Sequence, residues 1–290
     1  MRLTRCSLAG TLLLLGLAGC AGQLPPIDPP ALNEAVELTK TPFYSQTWNH
    51  CGPAALATRL VADGVDTSPE SLADEVFLPA RQGSLQAEIV AATRSSGRIP
   101  VEIEPNLQAL VDIIAEGKPA LVFLNLGIPA VPQWHYAVLV GYLPDSAEFV
   151  LRSGTTRRKR MGLRRFQHAW EWGGRWAIVA MTPGERLQSI THEAYESALL
   201  DLSETSHVEF TLAAFREAVT LFPESPLLWG GYGNAAWQAQ DLPLSISAFR
   251  SFVRLDPENP GAHNNLAHTL LAAGCIDEAR QHAERALTLA

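Results

Sequence analysis

A cysteine, a histidine and a glutamine on separate segments of the chain have the residue types needed for thiol-based acyl transfer. Cys51 is followed by Gly52-Pro53 at the start of a helical pattern, which predicts a sulfur at a helix N-terminus. Free N–H groups and the helix dipole favour a thiolate there, so a lowered pKa is predicted for Cys51. His135 opens a strand-like segment and can act as the partner base. The side-chain amide of Gln46, shortly before Cys51, can donate to a developing oxyanion.

The elements that must position these residues follow one order along the chain, with helices first and strands later. Apolar residues recur at helical spacing in four windows, 51–62, 68–76, 85–93 and 107–114. Ser68 before Pro69 is a typical N-cap for the second of these helices. Short runs rich in Val, Leu and aromatic residues predict strands over 120–126, 135–142, 148–152 and 176–181. This order predicts an α+β domain over residues 40–185.

Two motifs of this domain are similar to those of a known family. Gln46 stands before a Cys-Gly-Pro-Ala motif at Cys51, and His135 opens the strand His-Tyr-Ala-Val-Leu-Val-Gly-Tyr. Together they resemble the bacteriocin-processing (double-glycine leader) peptidases of the papain-like clan, over roughly residues 40–155. The resemblance implies a papain-like cysteine peptidase acting on a peptide or protein. It implies Cys51 as nucleophile, His135 as general base and acid, and Gln46 as oxyanion donor.

The third catalytic residue departs from the family pattern. The family orients its histidine with an Asp at the end of the next strand, where this chain most nearly places Ser153. A hydroxyl can accept the imidazole N–H, but it cannot stabilise imidazolium as a carboxylate does. Asp145 is the nearest carboxylate, and its place in a predicted turn favours a role in shaping that turn. Weak peptidase activity, a different third residue and loss of catalysis all remain open.

Each candidate also has a structural interpretation. Cys51 can be a buried structural thiol, His135 a hydrogen-bonded strand histidine, and Gln46 a loop surface residue. His50 adjoins the nucleophile and is a second candidate base, although neighbouring side chains often diverge. The Gln, Cys and His motifs occurring together favour the catalytic interpretation.

Composition and charge exclude several other classes of function. The 290 residues suffice for about two domains, and 47% hydrophobic with 18% charged residues excludes whole-chain disorder. A net charge of −8 argues against general nucleic-acid binding.

A basic cluster at 157–160 with Arg164 and Arg165 is predicted to be a solvated hairpin surface. Contact with anionic lipid headgroups or an acidic partner is the alternative for this cluster. Neither metal-ligand spacing nor a phosphate-binding glycine loop occurs, so no cofactor is predicted.

The N-terminus is predicted to be an export signal. Two arginines precede an apolar run of about ten residues, which is shorter than the roughly twenty needed to span a membrane. The ending Leu-Ala-Gly-Cys20 resembles the lipobox of bacterial lipoproteins, implying that residues 1–19 are removed and that Cys20 carries the acyl anchor. An ordinary secretory signal is the alternative. Residues 20–39 are predicted to be a proline-rich tether. Ala21 after the cysteine indicates the outer membrane, with the protein facing the periplasm.

The C-terminal residues 190–290 repeat with a period of 34. Pro223 and Pro257 are one period apart, as are Phe215 and Phe249. A 34-residue period of paired helices resembles the tetratricopeptide repeat, with units at about 192–225, 226–259 and 260–290. The resemblance implies an all-α solenoid that binds a peptide or a partner protein. A hinge is predicted over 182–185.

Three functions fit these features. The first is a membrane-anchored cysteine peptidase whose repeats recruit a substrate or partner. The second is a catalytically weak or inactive descendant that binds a peptide as an adaptor. The third is an assembly lipoprotein of the envelope or of secretion, in which the cysteine domain is structural. The first is favoured because Cys51, His135 and Gln46 all fit one pattern.

Overall fold

The computed structural model describes residues 30–46, 50–204 and 207–290. The signal segment, Cys20 and the first part of the tether lie outside these described residues. Within them, no helix combines the length and the apolar character needed to cross a bilayer. A sheet domain comes first and paired helices follow, which confirms the predicted fold class of α+β followed by an all-α repeat region.

The sheet of the first domain has seven strands within the described residues, and every pairing is antiparallel. The strands are β1 (Val36–Glu37), β2 (Ile99–Glu102), β3 (Ala120–Asn125), β4 (Trp134–Leu143), β5 (Glu148–Ser153), β6 (Thr156–Gly162) and β7 (Ala177–Met181). Their order across the sheet is β2-β7-β3-β4-β5-β6, and β1 pairs with part of β4. The long strand β4 therefore lies in the interior of the sheet.

Helices cover both faces of this sheet. The first domain contains α1 (Cys51–Ala62), α2 (Pro69–Val76), α3 (Gln86–Ser95), α4 (Leu107–Ala115) and α5 (Leu163–Trp172). Side chains alternate along β4, so Tyr136 and Val138 join the core under α1, α2 and α3. Ala137 and Leu139 join the opposite core under α4 and α5. The sheet is thus the middle of three layers.

Local sequence signals set several of the helix starts. Ser68 accepts a hydrogen bond from the Ser71 amide, and the Ser71 hydroxyl accepts one from the Ser68 amide, so a reciprocal capping box begins α2. Asn106 caps α4 through the amide of Ala109. The strands β1 and β2 and the helix α5 were absent from the sequence predictions, and the strand β6 was predicted only as part of a hairpin surface.

The second region consists of three consecutive helix pairs. They are α6 (His192–Leu200) with α7 (Val208–Leu221), α8 (Pro226–Gln238) with α9 (Leu242–Leu255), and α10 (Pro260–Ala272) with α11 (Ile276–Leu289). Gly231 and Gly233 let α8 approach its neighbours closely, because a Cβ at either would overlap the ring of Phe215 or Phe249. The recurring phenylalanines are therefore the contacts that stack successive helices.

One apolar core joins the sheet domain to the first helix pair. Leu187 of the connecting segment, Leu199 of α6 and Phe215 of α7 are buried in the same cluster as the α4 face of the sheet. An ion pair of 2.6 Å between Lys118 and Glu185 adds a polar tie at this junction. The predicted hinge at 182–185 therefore lies at a packed contact between the two regions.

Candidate active site

Cys51 is the first residue of α1, as the sequence predicts, and its side chain is half-buried. Gly52 behind it is required by close packing, because a Cβ there would overlap the hydroxyl of Ser84. Burial of the sulfur raises the pKa of Cys51, and the amide N–H groups of Tyr136, Gly52 and Cys51 only partly oppose this effect. The predicted lowering of this pKa is therefore wrong, since desolvation outweighs the helix N-terminus.

His135 is the second residue of β4, at the end of the strand that lies beside Cys51. The amide of Tyr136, the next residue, acts on the Cys51 sulfur, which places the thiol beside the start of β4. Among the described residues the thiol and the imidazole form no hydrogen bond. Catalytic pairs are often loose in this way before a substrate binds.

Ser153 is the last residue of β5, and only 3% of it is exposed. Its hydroxyl lies 2.9 Å from Nε2 of His135, so the residue in the place of the family Asp contacts the imidazole. If Nε2 carries the proton and donates to this oxygen, Nδ1 is left unprotonated. Nδ1 is then the nitrogen able to accept a proton from the thiol.

The charges around His135 disfavour an imidazolium ion. Burial and, to a smaller extent, the positive charge of Lys159 on β6 together lower the pKa of His135 to about 4. Ser153 offers no negative charge in compensation. At neutral pH the pair therefore consists of a neutral thiol and a neutral imidazole.

Gln46 is held against the same two strand ends. Its backbone amide donates to the Gly154 carbonyl at 3.0 Å, and its side-chain oxygen accepts from the Gly154 amide at 3.1 Å. The side-chain nitrogen donates to the carbonyl of Tyr136 at 3.4 Å. This –NH₂ group has a second hydrogen, which the contact with Tyr136 does not use. That hydrogen is the one able to serve an oxyanion.

Two other sequence candidates lie elsewhere. The ring of His50 stacks on Phe77, with centroids 4.7 Å apart and planes 15° from parallel. Asp145 lies in the short helical turn Pro144–Ser146, at the opposite end of β4 from His135. A strand of this length separates them by roughly 30 Å, so Asp145 cannot orient the imidazole.

Sequence reasoning missed two residues that support the site. The buried side chain of Arg152 donates to the carbonyls of Leu38, Thr39 and Thr41, in the segment leading to Gln46. The buried oxygen of Asn125 accepts from the amides of Gly127 and Gln133 and so holds the connection that enters β4. For Arg152, the signal in the sequence was a charged residue inside the apolar strand that ends at Ser153.

The basic cluster forms strand β6 and the start of α5, at the edge of the sheet. Arg157, Arg158 and Arg160 are exposed, as predicted for a hairpin surface. Arg158 pairs with Glu37 at 2.7 Å, and Arg160 pairs with Glu148. Part of the positive charge of the cluster is therefore compensated within the chain.

Comparison with known families agrees with this geometry. Residues 38–177 match the Peptidase C39-like family, and residues 212–260 and 233–290 match tetratricopeptide repeats. The chain carries a C39-like peptidase domain followed by tetratricopeptide repeats. The Gln46, Cys51 and His135 motifs all lie inside the C39-like match. The search of curated proteins gave no match.

Solved structures similar to parts of this chain have low sequence identity. A C39-like peptidase from Bacillus anthracis is 18% identical with a TM-score of 0.45, covering 54% of this chain and 100% of that chain. The peptidase domain of Streptococcus ComA, a bifunctional ABC transporter of a quorum-sensing pathway, is 21% identical with a TM-score of 0.39. That match covers 48% of this chain and 96% of the other. MamA from Desulfovibrio magneticus is 21% identical with a TM-score of 0.31, over 36% of this chain and 58% of its own.

Proposed function

We propose that this protein is a lipid-anchored cysteine peptidase of the bacterial envelope, with Cys51 as nucleophile and His135 as base. The observation that carries the proposal is the arrangement at the start of β4. The Cys51 sulfur lies against the Tyr136 amide, next to a histidine whose far nitrogen is held 2.9 Å from Ser153. A purely structural thiol needs no such oriented imidazole beside it.

The mechanism starts from neutral partners. Nδ1 of His135 takes the thiol proton as the Cys51 sulfur attacks the carbonyl carbon of the scissile peptide bond. The second amide hydrogen of Gln46 donates to the oxyanion that forms. Collapse of the intermediate breaks the carbon–nitrogen bond, and His135 returns its proton to the departing amine. Water then hydrolyses the thioester with His135 again as base, which releases the acid and restores the thiol.

Ser153 orients the imidazole in this mechanism without stabilising its positive charge. Because Lys159 and burial both disfavour imidazolium, we expect slower chemistry than a carboxylate-assisted site would give. The same observation favours a second candidate function, a peptide-binding adaptor with little or no hydrolysis. In both the peptidase and the adaptor function, the tetratricopeptide repeats hold a partner protein.

The proposed location is the periplasmic face of the outer membrane, with acyl chains on Cys20. The support for it is the Leu-Ala-Gly-Cys20 sequence after a short apolar run, followed by Ala21. The tether in this proposal runs from Cys20 to strand β1 and is shorter than the predicted 20–39, because Val36–Glu37 pair with β4 and belong to the sheet. The peptide or protein substrate would be reached at the membrane surface.

The deciding experiment compares peptide cleavage by the protein and by its Cys51→Ser variant. Both are incubated with a proteome-derived peptide library, and new termini are identified by mass spectrometry. A peptidase gives cleavage products that are absent with Cys51→Ser and strongly reduced with His135→Gln. If the two digests are identical while peptides are still retained by the protein, the adaptor function is correct.

A further inference from the structure

A cavity of about 210 Å³ lies at the junction of the two regions, away from the candidate active site. It is lined by the end of β7, the connecting segment, α6 and Phe222, which directly follows α7. The volume corresponds to about seven water molecules, enough for one amino-acid side chain with its attached group. Ala177 begins β7 near the active-site end of the sheet, and Met181 ends it at the cavity, so the two sites are at opposite ends of the sheet.

The cavity contains donor groups that the fold does not use. Tyr195 is only 3% exposed, yet its hydroxyl has no hydrogen-bond partner among the described residues. The hydrogen of this buried hydroxyl is therefore available to a ligand. Nε2 of His192 is buried and also lacks a hydrogen bond there, at 4.0 Å from Glu196.

A cation completes this set of donors at the mouth of the cavity. The guanidinium carbon of Arg186 lies 5.7 Å from the centre of the Phe222 ring. His192 stacks on the same ring at 4.3 Å with planes 12° apart. Within the described residues Arg186 forms no ion pair or hydrogen bond, so its five N–H groups remain available.

The carboxylate that lines the cavity is already satisfied. One oxygen of Glu185 accepts from Lys118 at 2.6 Å, and the other accepts from the Thr182 amide at 2.9 Å. Glu185 is therefore not available to bind a cationic ligand. The polar groups of the cavity that remain unused can donate hydrogen bonds, so they fit a ligand with acceptor atoms. The exposed guanidinium of Arg186 favours a ligand whose acceptor is negatively charged.

The remaining lining is apolar and defines the rest of the ligand. Met181, Leu187, Ile190 and Phe222 surround the donors with hydrocarbon and aromatic surface. We propose that this cavity binds a carboxylate attached to a small apolar group, with Arg186 and Tyr195 on the carboxylate. Two sources share this chemistry, the C-terminal residue of a peptide and a free short fatty acid.

Isothermal calorimetry with two matched probes tests the proposal on the full-length protein. N-acetyl-leucine presents the carboxylate and the apolar group, while N-acetyl-leucinamide has the same shape without the charge. We expect the acid to bind at least about tenfold more tightly, the scale of one charge-assisted hydrogen bond. Tyr195→Phe and Arg186→Gln should each weaken binding of the acid by a similar factor. Arg164→Gln, at an exposed arginine on α5, is the matched control and should leave it unchanged.

The variant Tyr195→Phe keeps the test independent of folding, because it removes a hydroxyl that has no hydrogen-bond partner in the described structure. Its melting temperature should equal that of the parent protein. Equal binding of acid and amide, no saturable binding, or full binding by Tyr195→Phe would each overturn the proposal. Acetyl-Ala-Leu binding more tightly than hexanoate assigns the site to peptide C-termini, and the reverse order assigns it to fatty acids. Because the cavity is remote from Cys51, the Cys51→Ser variant should still bind the acid. A failure of the cavity proposal can therefore be told apart from a failure of the peptidase proposal.

Discussion

His135 and Ser153 are joined by a contact of 2.9 Å between Nε2 and the serine hydroxyl, at adjacent strand ends. Where the resemblance to the peptidase family implies a carboxylate, this chain has the Ser153 hydroxyl. It can fix the direction of the imidazole ring, but it adds no charge to the site. The charge that affects the imidazole is instead that of the cation Lys159, which acts with burial against protonation.

Replacing this hydroxyl by a carboxylate should strengthen the site. In Ser153→Asp the new charge stabilises imidazolium, so we expect a raised pKa for His135 and hydrolysis at least about tenfold faster at neutral pH. Ser153→Asn is the matched control, because it retains a hydrogen-bonding side chain without charge. Rates are measured on a peptide identified in the library digest. Equal rates for the Asp and Asn variants would show that charge at this position does not limit the reaction.

Alkylation should report the buried environment of Cys51. Because burial raises the pKa of Cys51, its iodoacetamide labelling should increase only above the ordinary thiol range near about 8.5. Labelling of Cys51 is measured in the Cys275→Ser variant. Labelling of the exposed Cys275, the reference thiol, is measured in the Cys51→Ser variant. Labelling of Cys51 at a lower pH than Cys275 would contradict this environment and indicate a thiolate–imidazolium pair.

Stability should depend on pH through His135. With a folded pKa of about 4 against about 6.5 when unfolded, the unfolded chain binds more protons between these values. Stability is therefore lost as pH falls from about 6.5 to about 4, by up to about 3 kcal/mol from this residue. In His135→Gln this part of the loss should disappear. Urea unfolding of both proteins at pH 7 and pH 5 measures it, and identical pH dependence would exclude a depressed pKa.

The buried guanidinium of Arg152 should be important for stability. Arg152→Met removes the side-chain donor to the carbonyls of Leu38, Thr39 and Thr41, which we expect to cost about 2–4 kcal/mol of unfolding free energy. Arg158→Met is the control, since solvent screens its exposed ion pair with Glu37, which therefore contributes little to stability. Urea denaturation compares the two variants. A loss no larger for Arg152→Met than for Arg158→Met would refute the anchoring role.

Membrane attachment should require Cys20. The variant Cys20→Ser removes the acylated thiol, so the protein should move from the membrane fraction to the soluble periplasmic fraction. Cys6→Ser, inside the signal segment, is the matched control and should remain with the membrane. Fractionation followed by immunoblotting measures both. Retention of Cys20→Ser in the membrane would assign attachment to another part of the chain.

Local sequence signals predicted most of the elements that surround the site. Ser68 and Pro69 start α2 where the sequence places it, and the apolar run at 120–126 corresponds to β3. These elements depend on caps and on side-chain patterns within a few residues. Strand β6 has no such pattern, because its arginines are exposed and only Met161 is buried on the sheet. It forms through backbone pairing with β5, which single-sequence patterns do not reveal.

The electrostatics of the site depend on long-range packing. The position of Cys51 at a helix start was predictable from Gly52 and Pro53, but the sign of its pKa shift was not. Burial of that sulfur results from contact with β4, which is more than eighty residues away in sequence. The contact of Ser153 with His135 was predictable from the strand order, whereas the effect of Lys159 required the pairing of β6.

The core shared by the sheet domain and the first repeat helices restricts how this gene can recombine. Leu199 and Phe215 belong to the same buried cluster as the residues under α4. A crossover that exchanged the repeats at residue 185 would expose hydrocarbon on both products and promote their aggregation. Because Leu228 of α8 and Ala248 of α9 belong to the same cluster, viable chimaeras should instead keep α6 to α9 with the sheet and exchange only the helices from Pro260 onward. The first two helix pairs and the peptidase fold therefore have to be exchanged as one unit.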